Sequence, residues 1–523
     1  MAEIDVQSFE GMNRSDRSIV KSSLVISFFT FLTGILNYLT LAVLAFSFGT
    51  QRDMDAYFSA STIPQVIAAI VLAALSNAFI PVFVETKARD ESGAWKMASI
   101  IMNVVFVIFL VIAVLGILFS REVISLMNPG LPKETLTLSA SLFRILLLAM
   151  VVSGMSSILT SLHYAHHQFF RPSLAQGLHT LVTFLFVLLF RSAWGILSVG
   201  LGTLVGSLLQ FWYLAPLFLK NHRYSFDFDA RNKEIVKLAR LILPLIVGSV
   251  FYKTNPLVER FLASRLEEGS ISYLGYAGKI ILALVPVITL GISSVLFPRM
   301  AEYSALKDYQ GLRETLSKAL RALIVITIPA AFIMAVAKFE LVQLVFERGD
   351  FTAQATHAVG SALVAYLGFF LGASLTLPIV NTLYSLQENA KAALIGVLGF
   401  ILYVFLAFEF SNYFGYLGIA AAASIQYIFC LILFIALLKK KLGRLGSGPI
   451  LRCLFKTIFA SGLASITLLA SYRFAAQWIA FPFHFISLGI LASAIYVLTL
   501  ILLKTKELSF ISFLVPFLRR GRP

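Results

Sequence analysis

Apolar runs of about twenty residues recur along this chain, each about the length that crosses a bilayer's hydrocarbon core as a helix. They lie near 22–48, 59–84, 97–119, 137–162, 173–190, 194–219, 239–263, 272–297, 319–345, 355–384, 391–410, 416–438, 453–472 and 482–503. No soluble core could bury them all: of 523 residues, 59% are hydrophobic and only 13% charged. Ordinary soluble domains carry about 25% charged residues. The expected fold class is therefore an all-α polytopic membrane protein with about fourteen spans.

The net charge of +16 would raise nucleic acid as a partner in a soluble chain. Here membrane topology explains it. If the spans alternate in direction, most of the Lys and Arg residues fall in the even-numbered loops and the termini. Lys87, Arg89, Lys96, Lys220, Lys237, Arg299, Lys307 and Lys439 to Lys441 are examples. Basic loops stay in the cytoplasm, so both termini are expected there, with no nucleic-acid partner. Residues 1–21 lack a cleavable signal pattern, because the apolar run after Arg14, Arg17 and Lys21 is too long for one. Cys430 and Cys453 lie singly in apolar runs and read as packing thiols.

Landmarks repeat in step. Tyr57, Pro81, Glu122 and Tyr164 are followed, at nearly the same spacings, by Tyr273, Pro298, Glu340 and Tyr384. The offset covers an even number of spans, so the two halves should be parallel repeats about an axis along the membrane normal. The expected organisation is a cytoplasmic segment 1–21, a six-helix lobe 22–219, a linker 220–238, a second six-helix lobe 239–438, two further helices within 453–503, and a tail 504–523. In that tail an apolar stretch, Leu508 to Leu518, is flanked by basic residues and reads as an interfacial anchor.

The chain shows no metal-ligand spacing, nucleophile elbow or phosphate loop, and the loops are too short to host an active site, so no enzyme is expected. His163, His166 and His167, beside Arg171 at a helix end, read as interfacial side chains. Charges inside or at the edge of spans are more informative, because each is costly at membrane depth and marks a functional site by default. They are Arg144, Lys253, Glu259 and Lys279. Pro256 should break span seven, and broken helices at the midplane are where transporters build sites. Cations there suit an anionic headgroup, since phosphate matches Lys and Arg donors. Arg52, Asp53 and Asp55 lie in the first external turn, where such residues usually cap a helix. Pro64, Pro81, Pro286, Pro298 and Pro329, with Gly34 and Gly291, add points of weakness suited to rocking between two states.

Several stretches, in order and spacing, resemble the MurJ (MviN) family of lipid II flippases, within the superfamily of multidrug and lipid-linked oligosaccharide exporters. They are FGTQRDMDAYFSASTIP, SLFRILLLAM, ILTSLHYAHHQFFRPSLAQG, ASRLEEGSISYLGYAGK and LVQLVFERGDFTAQAT. The resemblance implies fourteen helices around a cationic cavity that moves an undecaprenyl-linked peptidoglycan precursor by alternating access. Energy would come from a coupling cation or the membrane potential, with no resident cofactor. It implies that Lys279, in place of a cavity arginine, and Arg144 meet the substrate's diphosphate, and Lys253, as an in-span cation, is expected to join them. Asp55, with Arg52 beside it, matches the family's external acid, and Glu259 stands where some members carry an ion-coupling acid. Membrane lipids and cell-wall synthesis proteins are the implied partners. The likeness departs where members carry arginines: here span one reads FLTGILNYL, and span two has Ala68, Ala69, Ala73 and Ala74. A flippase for another lipid-linked glycan is the alternative, ahead of a cation-coupled drug exporter or a non-transporting scaffold.

Overall fold

The structure is a computed structural model that describes residues 14–221, 224, 227–228, 233–443, 447–475 and 483–505. The apolar stretch expected to anchor the C-terminal tail lies outside them. The described residues are helical and divide into two compact units, Met1–Gly269 and Ser270–Pro523.

The first unit contains α1 (Arg14–Phe48), α2 (Arg52–Arg89), α3 (Glu91–Leu118), α4 (Ser120–Met127) and α5 (Lys133–Ala165). It continues with α6 (Phe170–Trp194), α7 (Leu197–Asn221), α8 (Lys233–Lys253) and α9 (Asn255–Ala263). α5 is its central post and packs on α2, α3 and α7, while α6 joins α1 to α7. α8 packs along α2. Span seven, expected in the second lobe, thus groups by contact with the first unit.

The second unit contains α10 (Ser270–Ala305), α11 (Tyr309–Val336), α12 (Lys338–Phe346), α13 (Ala353–Ala365) and α14 (Leu367–Ser385). α15 (Asn389–Leu442), α16 (Ser447–Ala475) and α17 (Phe483–Leu502) complete it. α14 packs on α15, α10 and α11, and α16 sits between α11 and α17.

Eleven helices among the described residues are long and apolar enough to span a membrane. The fourteen-span reading follows from three further features. α15 folds back at Gly415, which adopts φ 57°, ψ −138°, a conformation essentially closed to residues with a Cβ. α17 holds a shorter apolar run, Ser487–Leu502. Span seven is broken at Thr254, between α8 and α9, with Pro256 in the first turn of α9, where its missing N–H costs no hydrogen bond. Pro64 and Pro81 lie inside a continuous α2, and Pro329 inside α11. Many large apolar side chains face outward, among them Leu118 (68% exposed) and Phe405 (62%). In a bilayer this is the solvated side.

Two elements differ from expectation. The external turn expected around Arg121 to Glu134 contains the short amphipathic helix α4, and span ten is interrupted at Tyr366. Both are too local to alter an apolar run.

The internal repeat reaches the backbone. Gly195, between α6 and α7, adopts φ 52°, ψ −141°, nearly the geometry of Gly415. Phe119 and Ala337, which close α3 and α11, adopt φ −104°, ψ 28° and φ −104°, ψ 31°. His167 and Gln387 both take positive φ, 56° and 59°. In the turns they occupy, Gln168 N donates to His163 O, and Glu388 N donates to Leu383 O. Each unit therefore follows the same course from its long proline-bearing helix, α2 or α10, to the hairpin turned at Gly195 or Gly415.

Candidate functional site

In the first unit, residues far apart in sequence converge at the end opposite the basic loops. Asp55 sits in the first turn of α2, where its charge also complements the helix dipole. It is 4% exposed, and its Oδ2 accepts a hydrogen bond of 2.8 Å from the Gly269 backbone N–H. Three residues earlier, Arg52 donates its backbone N–H to Glu268 Oε1 at 3.1 Å. Its guanidinium pairs with Glu134 at the start of α5. The turn before α5 is pressed against the end of α9. Gly130 N donates to Ser264 Oγ at 3.4 Å, and a Cβ at Gly130 would fall 2.0 Å from Ser264 O. The α1–α2 turn, the α4–α5 turn and the segment after α9 are thereby fastened together.

A buried charge pair lies beside this knot. Arg260 is 8% exposed; its Nη1 meets Glu259 Oε1 at 3.1 Å, and its guanidinium lies 5.2 Å from the Phe58 ring centre. Phe58 is one helical turn from Asp55, so the pair and the capped end of α2 form one continuous patch. Arg260 is absent from the sequence reading, although NPLVERFLASR shows a cation in a span. Arg260 reaches Glu259 as its neighbour on the same short helix.

The other sequence-predicted cations lie on α5, α8 and α10. Arg144 is exposed on α5, and its Nε donates to Ser120 Oγ at 2.7 Å, at the start of α4. Lys253 is exposed at the last residue of α8, directly before the break. Lys279 belongs to the second unit, half-buried on α10 between the buried Tyr276 and Ala277 and the outer turns of the helix. Beside it, Gly278 faces open space.

At the basic end of the first unit, the linker is held down on α2 and α3. Lys237 Nζ meets Glu85 Oε2 at 2.7 Å, and Lys96 Nζ meets Asp227 Oδ2 at 3.1 Å. Lys87 Nζ lies 2.8 Å from His166 Nε2, whose ring stacks on Trp95. The histidines thus act as side chains of a packed helix end. No group of His, Cys, Asp and Glu that could hold a metal occurs among the described residues.

The second unit has a matching clamp. Glu388, between α14 and α15, pairs with Lys391 at 2.8 Å and with Lys441 at the end of α15. The hydrogen bonds from both lysines hold its carboxyl below the usual 4.5. A depressed carboxylate contributes stability that is present above its ordinary pKa and lost as pH falls through the folded value. We expect Glu388→Gln to lower the thermal midpoint at pH 7, with the difference closing as the pH is taken below about 4.3. Paired melts of the two proteins across that range would check this.

Solved structures share this fold. A lipid II flippase MurJ in an inward closed conformation superposes with a TM-score of 0.78 at 21% identity, covering 95% of this chain and all of the other. An inward-facing multidrug resistance MATE family transporter of the MOP superfamily superposes at 0.69 and 15% identity, over 79% of this chain and 96% of its own. Two similar helical units and a broken span define a polytopic membrane protein of the fold these structures share. A family model described as lipid II flippase MurJ matches residues 44–489, and the chain belongs to that family. Curated relatives agree. A probable lipid II flippase MurJ of Aquifex aeolicus is 26% identical over 518 residues, 97% of this chain and 98% of its own length. One of Borreliella burgdorferi is 25% identical over 441 residues, 84% of this chain and 87% of its own.

Proposed function

We propose that this chain is a lipid II flippase of the bacterial cytoplasmic membrane, with both termini in the cytoplasm. The observation that carries the reading is the family match, which runs through both units from residue 44 to 489. Charge distribution supports the orientation, since the ends bearing Lys87, Lys96, Lys237 and Lys441 gather the basic loops. In the proposed cycle, Lys279, Lys253 and Arg144 attract the diphosphate of the undecaprenyl-linked precursor from the cytoplasmic side, while the tail stays among membrane lipids. The units then rock, and the headgroup leaves outside. The knot around Asp55 and Arg52 closes the external end between turnovers. Glu259 is the acid on which a coupling cation would act, in competition with Arg260; the membrane potential is the other source of drive. The protein performs no bond chemistry, needs no cofactor or nucleic acid, and serves the enzymes of cell-wall synthesis.

The test is complementation. Cells depleted of their own lipid II flippase should regain growth and outer-leaflet lipid II when they express this chain. Failure at normal membrane levels would overturn the assignment. It would favour another polyprenyl-linked glycan, a reading that Ala68 and Ala69 in place of family cations already favour. Lys279→Ala should slow lipid II exposure roughly tenfold, the worth of one charge-assisted hydrogen bond. Lys279→Arg should retain most of the activity, because the charge stays. Unchanged exposure in Lys279→Ala at equal protein level would remove that lysine from the headgroup site.

A further inference from the structure

Pro329 sits inside α11, and a proline has no N–H to give the carbonyl four residues back. That carbonyl belongs to Val325, and it does not go without a donor. Tyr496, from α17, donates its hydroxyl to Val325 O at 2.6 Å, in a buried position. Beside this bond lies a cavity of about 40 Å³, lined by Pro329, Ser461, Ser465, Ser493 and Tyr496 among others. It is far below the roughly 300 Å³ of a pocket for an organic ligand. It exceeds the roughly 10–15 Å³ that one water requires.

Its lining is mainly apolar, but the hydroxyls of Ser461, Ser465, Ser493 and Tyr496 interrupt it. Ser461 is 1% exposed, and its Oγ has no hydrogen-bond partner within the protein. Such a group costs about 1–3 kcal/mol when left unsatisfied. Ser493, exposed at the rim, donates its Oγ–H to Gly489 O at 2.8 Å and keeps its lone pairs, while the Tyr496 oxygen, besides donating to Val325 O, already shares a hydrogen bond with Thr457. A donor to these oxygens that also accepts from Ser461 meets all the requirements of the site, and water is the molecule of that size that does so.

We propose that the cavity is a bound-water site that joins Ser461 of α16 to Tyr496 and Ser493 of α17. The water and the Tyr496–Val325 bond together fasten the C-terminal hairpin to α11 at its proline. Nearly dry apolar contacts alone, such as those of Ala460, Ala464 and Leu468, would let helices slide, whereas a bridged polar contact fixes their register.

Radiolytic hydroxyl-radical footprinting of the full chain in detergent tests this, because bound water becomes the radical source beside buried side chains. Tyr496 should be oxidised about threefold faster or more than Tyr276 and Tyr403, which are fully buried elsewhere. Ser461→Val, which fills the cavity, should bring Tyr496 down to their rate. Ser461→Ala removes one partner and leaves the space, and it should lower the Tyr496 rate if the valine variant does not fold. Equal rates for the three tyrosines in the unmodified protein would overturn the proposal, as would a Tyr496 rate that neither substitution changes.

Discussion

Arg260→Ala is expected to destabilise the protein by about 3–5 kcal/mol, the cost of deleting one partner of a buried ion pair. The side chains of Arg260 and Glu259 are 9% and 15% exposed, so little water is at hand to take over the carboxylate. The guanidinium also loses its stack on Phe58, worth about 0.5–2 kcal/mol in such a setting. Arg260→Met separates charge from volume and should remain clearly destabilised. Adding Glu259→Gln to Arg260→Met should then recover part of the loss, since replacing both charges is cheaper than removing one. Thermal unfolding of the purified variants in detergent reads all three. An Arg260→Ala midpoint within error of the parent would refute the buried-pair account.

Asp55→Ala is expected to open the external knot and to abolish lipid II exposure in the complementation assay. The local effect has its own measurement. Gly269 N–H now donates to a carboxylate, and hydrogen bonds to charged groups contribute about 1.5–3 kcal/mol. Its amide should therefore exchange with deuterium about ten- to a hundredfold faster in the alanine variant. Asp55→Asn keeps an acceptor oxygen and should lie between the two. If exchange at Gly269 rises while transport persists, the knot is a structural brace and has no part in the cycle.

These two sites differ in how far the sequence exposed them. Apolar runs marked out the spans because a bilayer imposes length and composition regardless of neighbours. Pro256 marked the break in span seven for an equally local reason. Asp55 was visible only as a residue of the first external turn and through its place in a family pattern. Its partner at Gly269 is 214 residues away, and that pairing is a property of the folded chain. Arg260 was masked by its neighbour, since adjacent opposite charges in a span read as a solvated edge until burial is known. α4 escaped notice because eight residues cannot span a membrane and carry no long periodic signal. The cations Lys253, Arg144 and Lys279 were legible as charges out of place. What each one touches depends on side-chain direction, and Arg144 turned to Ser120.

The glycine corners at Gly195 and Gly415 carry an evolutionary consequence. A corner essentially closed to residues with a Cβ, recurring at matched places in both units, is what duplication of a single-length ancestor would leave. The charges do not share that ancestry. By the offsets of Phe119 to Ala337 and of Gly195 to Gly415, Arg144 falls opposite Ala362 to Val364, and by the offset of Tyr57 to Tyr273, Lys279 falls opposite Ile63. The two units thus share their backbone corners and differ in their charges, a scaffold symmetric in outline and asymmetric in electrostatics.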